Sequence, residues 1–240
     1  MTVRFLSAGD RALVVEFGNR VDRKLSNSVL SLDASLRASA LSGVTETVPT
    51  FRSLMVYYDP LVTSRADLER AIAGRLDRPA EPRGSATLWR VPVCYDGEFA
   101  PDLTEVARLT GLAPGDVAAL HSSVRYHVYM IGFLPGFPYM GDLPPQLVLP
   151  RRADPRVRVP AGSVSIATTL SAIYPYESPG GWHLIGTTPI RFFDLMRPRP
   201  ALLNPGDIVQ IERIDPESFA SIKKAVDSGN YQIASEPIAL

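Results

Sequence analysis

The segment VRYHVYMIGFLPGFPYMGDLP, residues 124–144, decides the fold class of the C-terminal part of this chain. Valine, tyrosine and isoleucine in residues 124–132 predict a β-strand, whereas residues 132–142 hold two prolines, three glycines and three aromatic residues. We expect the second run to be neither a helix nor an ordinary strand, but a stiff loop with fixed rings. Further short β runs, separated by proline and glycine, occur at 157–166, 182–185, 190–193 and 208–211. This pattern favours a β-barrel or a β-sandwich.

Short helices flank this β-rich region. Asp102 and Glu105 predict the N-cap of a helix that ends near Gly111. A second helix is expected at 114–121, and a third at 217–226 is followed by a short strand at 231–233.

The N-terminal part alternates strand and helix signals. Ser64 and Asp67 predict a capping box before the second of two helices. The order ββαββα, with a strand around 88–93 that would complete the sheet, favours an α+β ferredoxin-like domain. The strands are expected at 3–6, 12–17, 44–48 and 54–58. The apolar helix faces are formed by Leu25, Val29, Leu32 and Leu36, and by Leu68, Ile72 and Leu76.

Composition divides the chain and excludes several classes of protein. Of the 22 prolines, 19 lie between Pro79 and Pro216, and residues 76–85 have the composition of a linker. We therefore predict domains at 1–84 and 85–240. With 25 basic and 25 acidic residues, the net charge of zero argues against a dedicated nucleic-acid or polybasic membrane binder. Without a signal-peptide pattern or a long apolar run, the sequence predicts a cytoplasmic protein.

Several kinds of site have no counterpart in the sequence. The phosphate-loop, Rossmann, H-E-x-x-H and G-x-S-x-G motifs are absent, and Cys94 is the single cysteine. His121, His127 and His183 could supply three zinc ligands by number, but their spacing fits no usual pattern. We therefore predict no metal site.

Residues 175–189, PYESPGGWHLIGTTP, are the first candidate for a functional segment. Gly180 and Gly181 can adopt positive φ, which would let their N–H groups form a nest for a carboxylate or phosphate. Glu177 and His183 place titratable groups beside this nest. A tight hairpin with a packed Trp182 is the alternative.

Two further segments complete the candidate site. Residues 132–142, with the neighbouring Tyr126, form either the wall of a pocket or a rigid corner of the barrel. Ser163 follows a glycine turn and is interpreted as a structural or substrate-binding hydroxyl. His121 ends a short helix and is either a catalytic group or a capping residue. The candidate catalytic residues are thus His121, Glu177 and His183; the candidate substrate-binding residues are Tyr126, Phe133, Phe137, Ser163, Tyr174, Ser178, Gly180 and Gly181.

The motifs HSSVRYHVYMIGFLPGFPYMGDLP, RVRVPAGSVSIA, IYPYESPGGWHLIGTTPIRFFD and LNPGD resemble the KipI family. This family includes the B subunit of the bacterial ATP-dependent 5-oxoprolinase. It also includes half of the carboxyltransferase-like module of urea amidolyase, often labelled allophanate hydrolase subunit 1. Members usually have a glycine-rich stretch and a glutamine where this chain has residues 167–170. They also have an arginine where it has Thr187.

The resemblance implies a ferredoxin-like domain followed by a cyclophilin-like β-barrel. It implies a subunit that acts with a homologous larger subunit and a third subunit to open 5-oxo-L-proline to L-glutamate while ATP is hydrolysed. Two alternatives remain: an inhibitor that binds a sensor histidine kinase, or half of a biotin-dependent carboxyltransferase acting on urea or another amide. The chain has no biotin-attachment sequence, so that alternative needs a carrier on another chain.

Overall fold

The computed structural model describes residues 3–76 and 86–238, which form two compact units. The second unit comprises Ala86–Ile238. The predicted boundary between residues 84 and 85, and nearly all of the predicted linker, lie outside the described residues. Their position therefore remains a prediction. Within the described ranges, no helix has the length and apolar character needed to cross a membrane.

The first unit is an antiparallel four-stranded sheet with two helices, and the predicted order of its elements is confirmed. The strand order is β1-β2-β4-β3, so β4 separates β2 and β3 in a split β-α-β arrangement. Residues 88–93 do not complete this sheet, because they belong to the second unit, and β1 forms the edge beside β2. The elements are β1 (Arg4–Ser7), β2 (Ala12–Glu16), α1 (Arg23–Ser39), β3 (Val44–Pro49), β4 (Ser53–Tyr58) and α2 (Arg65–Leu76).

The core of the first unit follows the apolar pattern of its helices. All four predicted core residues of α1 are buried, as are Leu68 and Ile72 of α2. These side chains pack on alternate residues of β2 and β4, which is the period expected for one face of a sheet. The predicted cap of α2 is confirmed, since the Asp67 backbone N–H donates to Ser64 Oγ over 3.1 Å.

The second unit contains a closed barrel of seven strands, which confirms the predicted barrel. The order around the barrel is β12-β9-β10-β7-β6-β13-β5, and the pairing of Thr187 with Cys94 closes it. The elements are β5 (Ala86–Cys94), α3 (Leu103–Thr110), α4 (Pro114–Ser122), β6 (Arg125–Ile131), β7 (Pro138–Gly141), β8 (Arg156–Val159), β9 (Ser163–Ala167), β10 (Leu170–Ile173), β11 (Ser178–Gly180), β12 (His183–Thr187), β13 (Ile208–Ile214), α5 (Pro216–Asp227) and β14 (Ser235–Ile238).

Four strand predictions in this unit are wrong. Residues 157–166 are not one strand, because the chain turns at Gly162, which has φ of +83°, and divides the run into β8 and β9. Residues 190–193 contribute only an isolated bridge between Phe193 and Ala201. The last strand is β14 rather than residues 231–233. Strand β7 lies within residues 132–142, which were predicted to contain no ordinary strand.

Asp102 also differs from its prediction as a cap. Helix α3 begins after Asp102 and ends before Gly111 as expected, but the Asp102 side chain makes no capping hydrogen bond. Its carboxylate instead accepts hydrogen bonds from residues distant in sequence. The side chain of Asp102 is therefore available to organise a site in the second unit.

Thr168 begins the two-residue connection between β9 and β10 with a φ of +53°. Hairpins with positive φ at this position favour glycine, because a Cβ is strained there by about 1–2 kcal/mol. We expect Thr168→Gly to raise the free energy of unfolding by about 0.5–1 kcal/mol, after the entropy cost of glycine in the unfolded chain. Urea denaturation measures this change.

The control for this prediction is Thr169→Gly, which replaces the other residue of the same connection. Thr169 has no positive φ, so glycine there gains nothing in the folded state and should lower stability by about 0.5–1 kcal/mol. Equal effects of the two substitutions would contradict the assignment of strain to Thr168.

Candidate functional site

Five aromatic side chains from the predicted functional segments form one connected set, which we call the aromatic cluster. Phe137 lies at its centre, with ring centroids 5.4 Å from Phe133, 5.0 Å from Tyr139 and 5.0 Å from Tyr174. Trp182 extends the cluster at 6.0 Å from Tyr139. The tilted and edge-to-face arrangements are those that aromatic pairs prefer. The loop at 132–137 and the segment at 174–182 are therefore brought together, as expected from the sequence.

The local sequence explains where these rings point. Met140 packs in the barrel core, so its neighbour Tyr139 faces the other side of β7. Gly136 has φ of +76°, and a Cβ there would lie 2.9 Å from the Phe192 carbonyl oxygen. Phe133 has φ of +69° and leaves 61% of its surface exposed. The Phe133 ring, which is attached to a backbone with positive φ, is therefore exposed to solvent. The other four rings of the cluster are largely covered.

Tyr174 connects all three predicted segments. Its backbone N–H donates to the Ser163 carbonyl over 3.0 Å, and its carbonyl accepts from the Gly162 N–H over 2.7 Å. Burial raises the pKa of its hydroxyl to about 12, so the phenol stays protonated at neutral pH. A Cβ at Gly180 would lie 2.2 Å from this hydroxyl oxygen, which explains the glycine.

The predicted glycine nest is wrong. Neither Gly180 nor Gly181 has a positive φ, because Gly180 is extended in β11 and pairs with Arg156 of β8. The Gly181 carbonyl accepts a hydrogen bond from the Arg152 N–H over 2.8 Å. Gly180 permits close packing on Tyr174, and the two glycines do not form a left-handed anion-binding turn.

His121 lies in the barrel core, away from any substrate surface. Its side chain is fully buried, with Nδ1 2.6 Å from the Tyr95 hydroxyl and Nε2 2.9 Å from Ser171 Oγ. Ser171 donates to the Ser165 carbonyl, so it accepts from Nε2–H, and Tyr95 donates to Nδ1. Burial lowers the pKa of His121 to about 3. The predicted catalytic role of His121 is therefore replaced by a structural one.

Tyr126 is also buried in this core rather than on a binding surface. Its hydroxyl donates to the His121 carbonyl over 2.7 Å, and burial raises its pKa well above the ordinary value. The hydroxyl has its partner within the protein, so Tyr126 is structural and not, as predicted, a residue that binds substrate.

The other two candidate catalytic residues have different environments. Glu177 is half-exposed and forms two hydrogen bonds of 2.9 and 3.0 Å with the Arg158 guanidinium. His183 is buried, and its Nε2 lies 3.0 Å from the Pro150 carbonyl oxygen. Ser163 and Ser178 are both buried, and Ser178 Oγ has only a long contact of 3.4 Å to the Pro179 carbonyl. No hydrogen bond joins Glu177 to His183 among the described residues.

A buried ion cluster beside His183, which we call the Asp102 cluster, was not predicted from the sequence. Asp102 is 4% exposed and accepts from Arg156 over 2.5 and 2.9 Å and from Arg152 over 3.2 Å. Its Oδ2 also accepts from the Leu184 backbone N–H over 2.6 Å. The sequence signal for this cluster was the basic run RRADPRVR at 151–158. In the structure, Arg152 and Arg156 of this run pair with the glycines at 180–181.

The described residues contain no group of three or more His, Cys, Asp and Glu side chains positioned to hold a metal ion. His121, the first of the three histidines considered for zinc, has both ring nitrogens hydrogen-bonded. The described residues do bring together an aromatic cluster and a group of buried arginines around Asp102.

Comparison with known proteins shows similarity along the whole chain. Residues 3–203 match the family "Carboxyltransferase domain, subdomain C and D". The chain is 35% identical to the 5-oxoprolinase B subunit of Bacillus subtilis, over 93% of this chain and 99% of that protein.

Solved structures agree with this family match. The crystal structure of TTHA0988 is 39% identical with a TM-score of 0.77, over 85% of this chain, which spans only 40% of that protein. Urea amidolyase of Kluyveromyces lactis has a TM-score of 0.83 over 99% of this chain and 16% of that chain, at 21% identity. This last similarity concerns the fold alone.

Proposed function

The chain belongs to the carboxyltransferase subdomain C and D family, and from this membership we propose that it is a subunit of an ATP-dependent 5-oxoprolinase complex. The observation that carries the proposal is the match to the B subunit of a 5-oxoprolinase over 93% of this chain and 99% of that relative. The complex would open 5-oxo-L-proline to L-glutamate while ATP is hydrolysed. The first unit would be ferredoxin-like and the barrel cyclophilin-like, and the location would be cytoplasmic.

The chemistry of the lactam explains why ATP is needed. Amide resonance makes an unstrained lactam resistant to water, and phosphorylation of its carbonyl oxygen would provide a leaving group. The chain has no phosphate-loop motif, so we assign ATP to the assembled complex. The proposed partners are a homologous larger subunit and a third subunit.

The contribution of this chain would be binding and orientation. The exposed Phe133 ring rests on Phe137, so it can cover one face of a lactam ring. We retain Phe137, Tyr174, Ser163 and Ser178 as residues that shape this surface. Glu177 is proposed to act on the substrate through its half-exposed carboxylate, held in place by Arg158.

ATP hydrolysis in reconstituted mixtures tests the proposal. The purified chain alone should show no hydrolysis that depends on 5-oxo-L-proline, whereas the mixture of all three subunits should be stimulated at least tenfold. Phe133→Ala should lower kcat/KM for 5-oxo-L-proline in the full mixture by roughly thirtyfold, the factor that corresponds to losing an aromatic contact worth about 2 kcal/mol. The control is Leu61→Ala, because Leu61 is 95% exposed in the first unit.

The assay also separates the alternatives. An assembled complex without stimulation by 5-oxo-L-proline would contradict the proposed substrate. Activity that requires a biotin carrier and urea would instead favour the carboxyltransferase alternative, to which the fold of Kluyveromyces lactis urea amidolyase is related. Inhibition of a sensor histidine kinase by the isolated chain would favour the regulatory alternative.

A further inference from the structure

The Asp102 cluster carries more positive than negative charge. Arg152 and Arg156 contact a single carboxylate, and the two guanidinium groups are largely covered, with 28% and 26% of their side chains exposed. Glu105 is a further carboxylate in this region, and its pKa is lowered mainly by the hydrogen bond from Arg108, with a smaller contribution from the charge of Arg152. Both Glu105 oxygens, however, accept from Arg108 over 2.7 and 2.8 Å. The two guanidinium groups therefore share one carboxylate, which leaves an excess of one positive charge in the cluster.

Two buried nitrogen atoms, one in the Asp102 cluster and one in the neighbouring His183, have no hydrogen-bond partner among the described residues. They are Arg152 Nε and His183 Nδ1, which the described residues leave unpaired. Buried polar atoms without partners are rare in folded proteins, and each one needs an explanation. They lie on facing segments, because the Arg152 N–H donates to the Gly181 carbonyl and His183 Nε2 bonds the Pro150 carbonyl.

The hydrogen-bonding roles of these two atoms are fixed by their neighbours. Arg152 Nε carries a hydrogen and can only donate. The Pro150 carbonyl can only accept, so Nε2 of a neutral His183 carries the proton and Nδ1 is an acceptor. A ligand that contacts both atoms must therefore present a negative oxygen to Arg152 Nε and a hydrogen-bond donor to His183 Nδ1.

We infer that Arg152 and His183, supported by Arg156, form a subsite for a small oxyanion that carries an adjacent hydrogen-bond donor. The oxyanion accepts from Arg152 Nε, the neighbouring N–H or O–H donates to His183 Nδ1, and Arg156 contributes the surrounding positive charge. This inference rests on the proposed function only in its choice of one ligand. That ligand is 5-oxo-L-proline, which has a carboxylate beside its lactam N–H. Monoprotonated phosphate has the same pattern and is the other ligand.

Direct binding to the isolated chain tests the inference without any enzymatic reaction. Titration with 5-oxo-L-proline, and separately with inorganic phosphate, should shift the imidazole ¹⁵N signals of His183 in a saturable way. Two analogues define the chemistry: 2-pyrrolidinone lacks the carboxylate, and 5-oxotetrahydrofuran-2-carboxylate has a ring oxygen in place of the N–H. Both should bind at least tenfold more weakly than 5-oxo-L-proline.

Two substitutions identify the residues. Arg152→Lys keeps the charge but removes Nε, and His183→Phe keeps a ring but removes the imidazole acceptor; each should weaken binding about tenfold or more. The matched control is Arg191→Gln, an exposed arginine paired with Asp227, which should leave binding unchanged. Thermal melts establish that each variant is folded.

The outcomes separate this inference from the proposed function. Saturable binding of either oxyanion that depends on Arg152 and His183 supports the subsite, and the preferred ligand identifies the source. The absence of saturable shifts with both ligands overturns it, since internal water would then satisfy the two nitrogens. Binding by the isolated chain together with an inactive full complex would leave the subsite standing and contradict the proposed function.

Discussion

Asp102→Ala is expected to lower the free energy of unfolding by about 3–5 kcal/mol, the usual cost of removing one partner from a buried ion cluster. Asp102 is almost fully buried and bonds two guanidinium groups and the Leu184 N–H. Without the carboxylate, Arg152 and Arg156 would remain largely covered and close to one another. Their mutual repulsion and the unpaired backbone N–H would add to the loss. Urea denaturation with a two-state fit measures the change.

Asp227→Ala is the matched control for this prediction. Asp227 also bonds two cations, Arg191 and Lys223, but its side chain is 43% exposed. Surface ion pairs contribute little because water and salt screen them, so this substitution should lower the free energy of unfolding far less than Asp102→Ala does. Similar losses for the two variants would contradict the conclusion that burial makes Asp102 important.

The first unit could be predicted almost completely because its elements are specified by local patterns. Leu25, Val29, Leu32 and Leu36 repeat on one helical face, and all four are buried. The exception was the edge of the sheet. The neighbours of a strand depend on the whole topology, and residues 88–93 carry a strand signal that serves a barrel equally well.

The barrel was predictable as a class but less so in its details. Strands β7 and β10 have four residues each, and β7 begins with a proline inside a run rich in glycine. Such short segments have too few residues to show a period, so tertiary pairing decides their conformation. The prediction of a strand at 190–193 was wrong for the opposite reason. These residues have the composition of a strand, but among the described residues they pair only through one isolated bridge.

The functional residues divide in the same way. The aromatic cluster could be anticipated because its rings come from two compact segments of unusual composition. The Asp102 cluster could not, because Asp102 bonds residues that are 50, 54 and 82 positions away in the chain. An aspartate before a helix predicts a cap on local grounds, and only the fold reveals the distant arginines.

His121 makes the free energy of unfolding depend on pH, and it does so already at pH values above those at which the carboxyl groups titrate. Burial lowers the pKa of His121 to about 3, whereas the unfolded chain has a histidine pKa of about 6.5. Below about pH 6.5 the unfolded state therefore binds a proton that the folded state does not. Stability is fully present above that pH and decreases by about 1.4 kcal/mol per pH unit as the pH falls towards 3.

From about pH 7.5 to about pH 4.5, we expect the free energy of unfolding to fall by about 2.5 kcal/mol through His121 alone. His121→Gln keeps a side chain that can bond Tyr95 and Ser171 but does not titrate, so its stability should change much less over this interval. Carboxyl groups with lowered pKa, such as Glu16 and Glu105, contribute mainly at lower pH and equally in both proteins. Urea denaturation at matched pH values gives the difference between the two profiles. Parallel profiles would contradict a buried, neutral His121, because removing the only changed titrating group would then have had no effect.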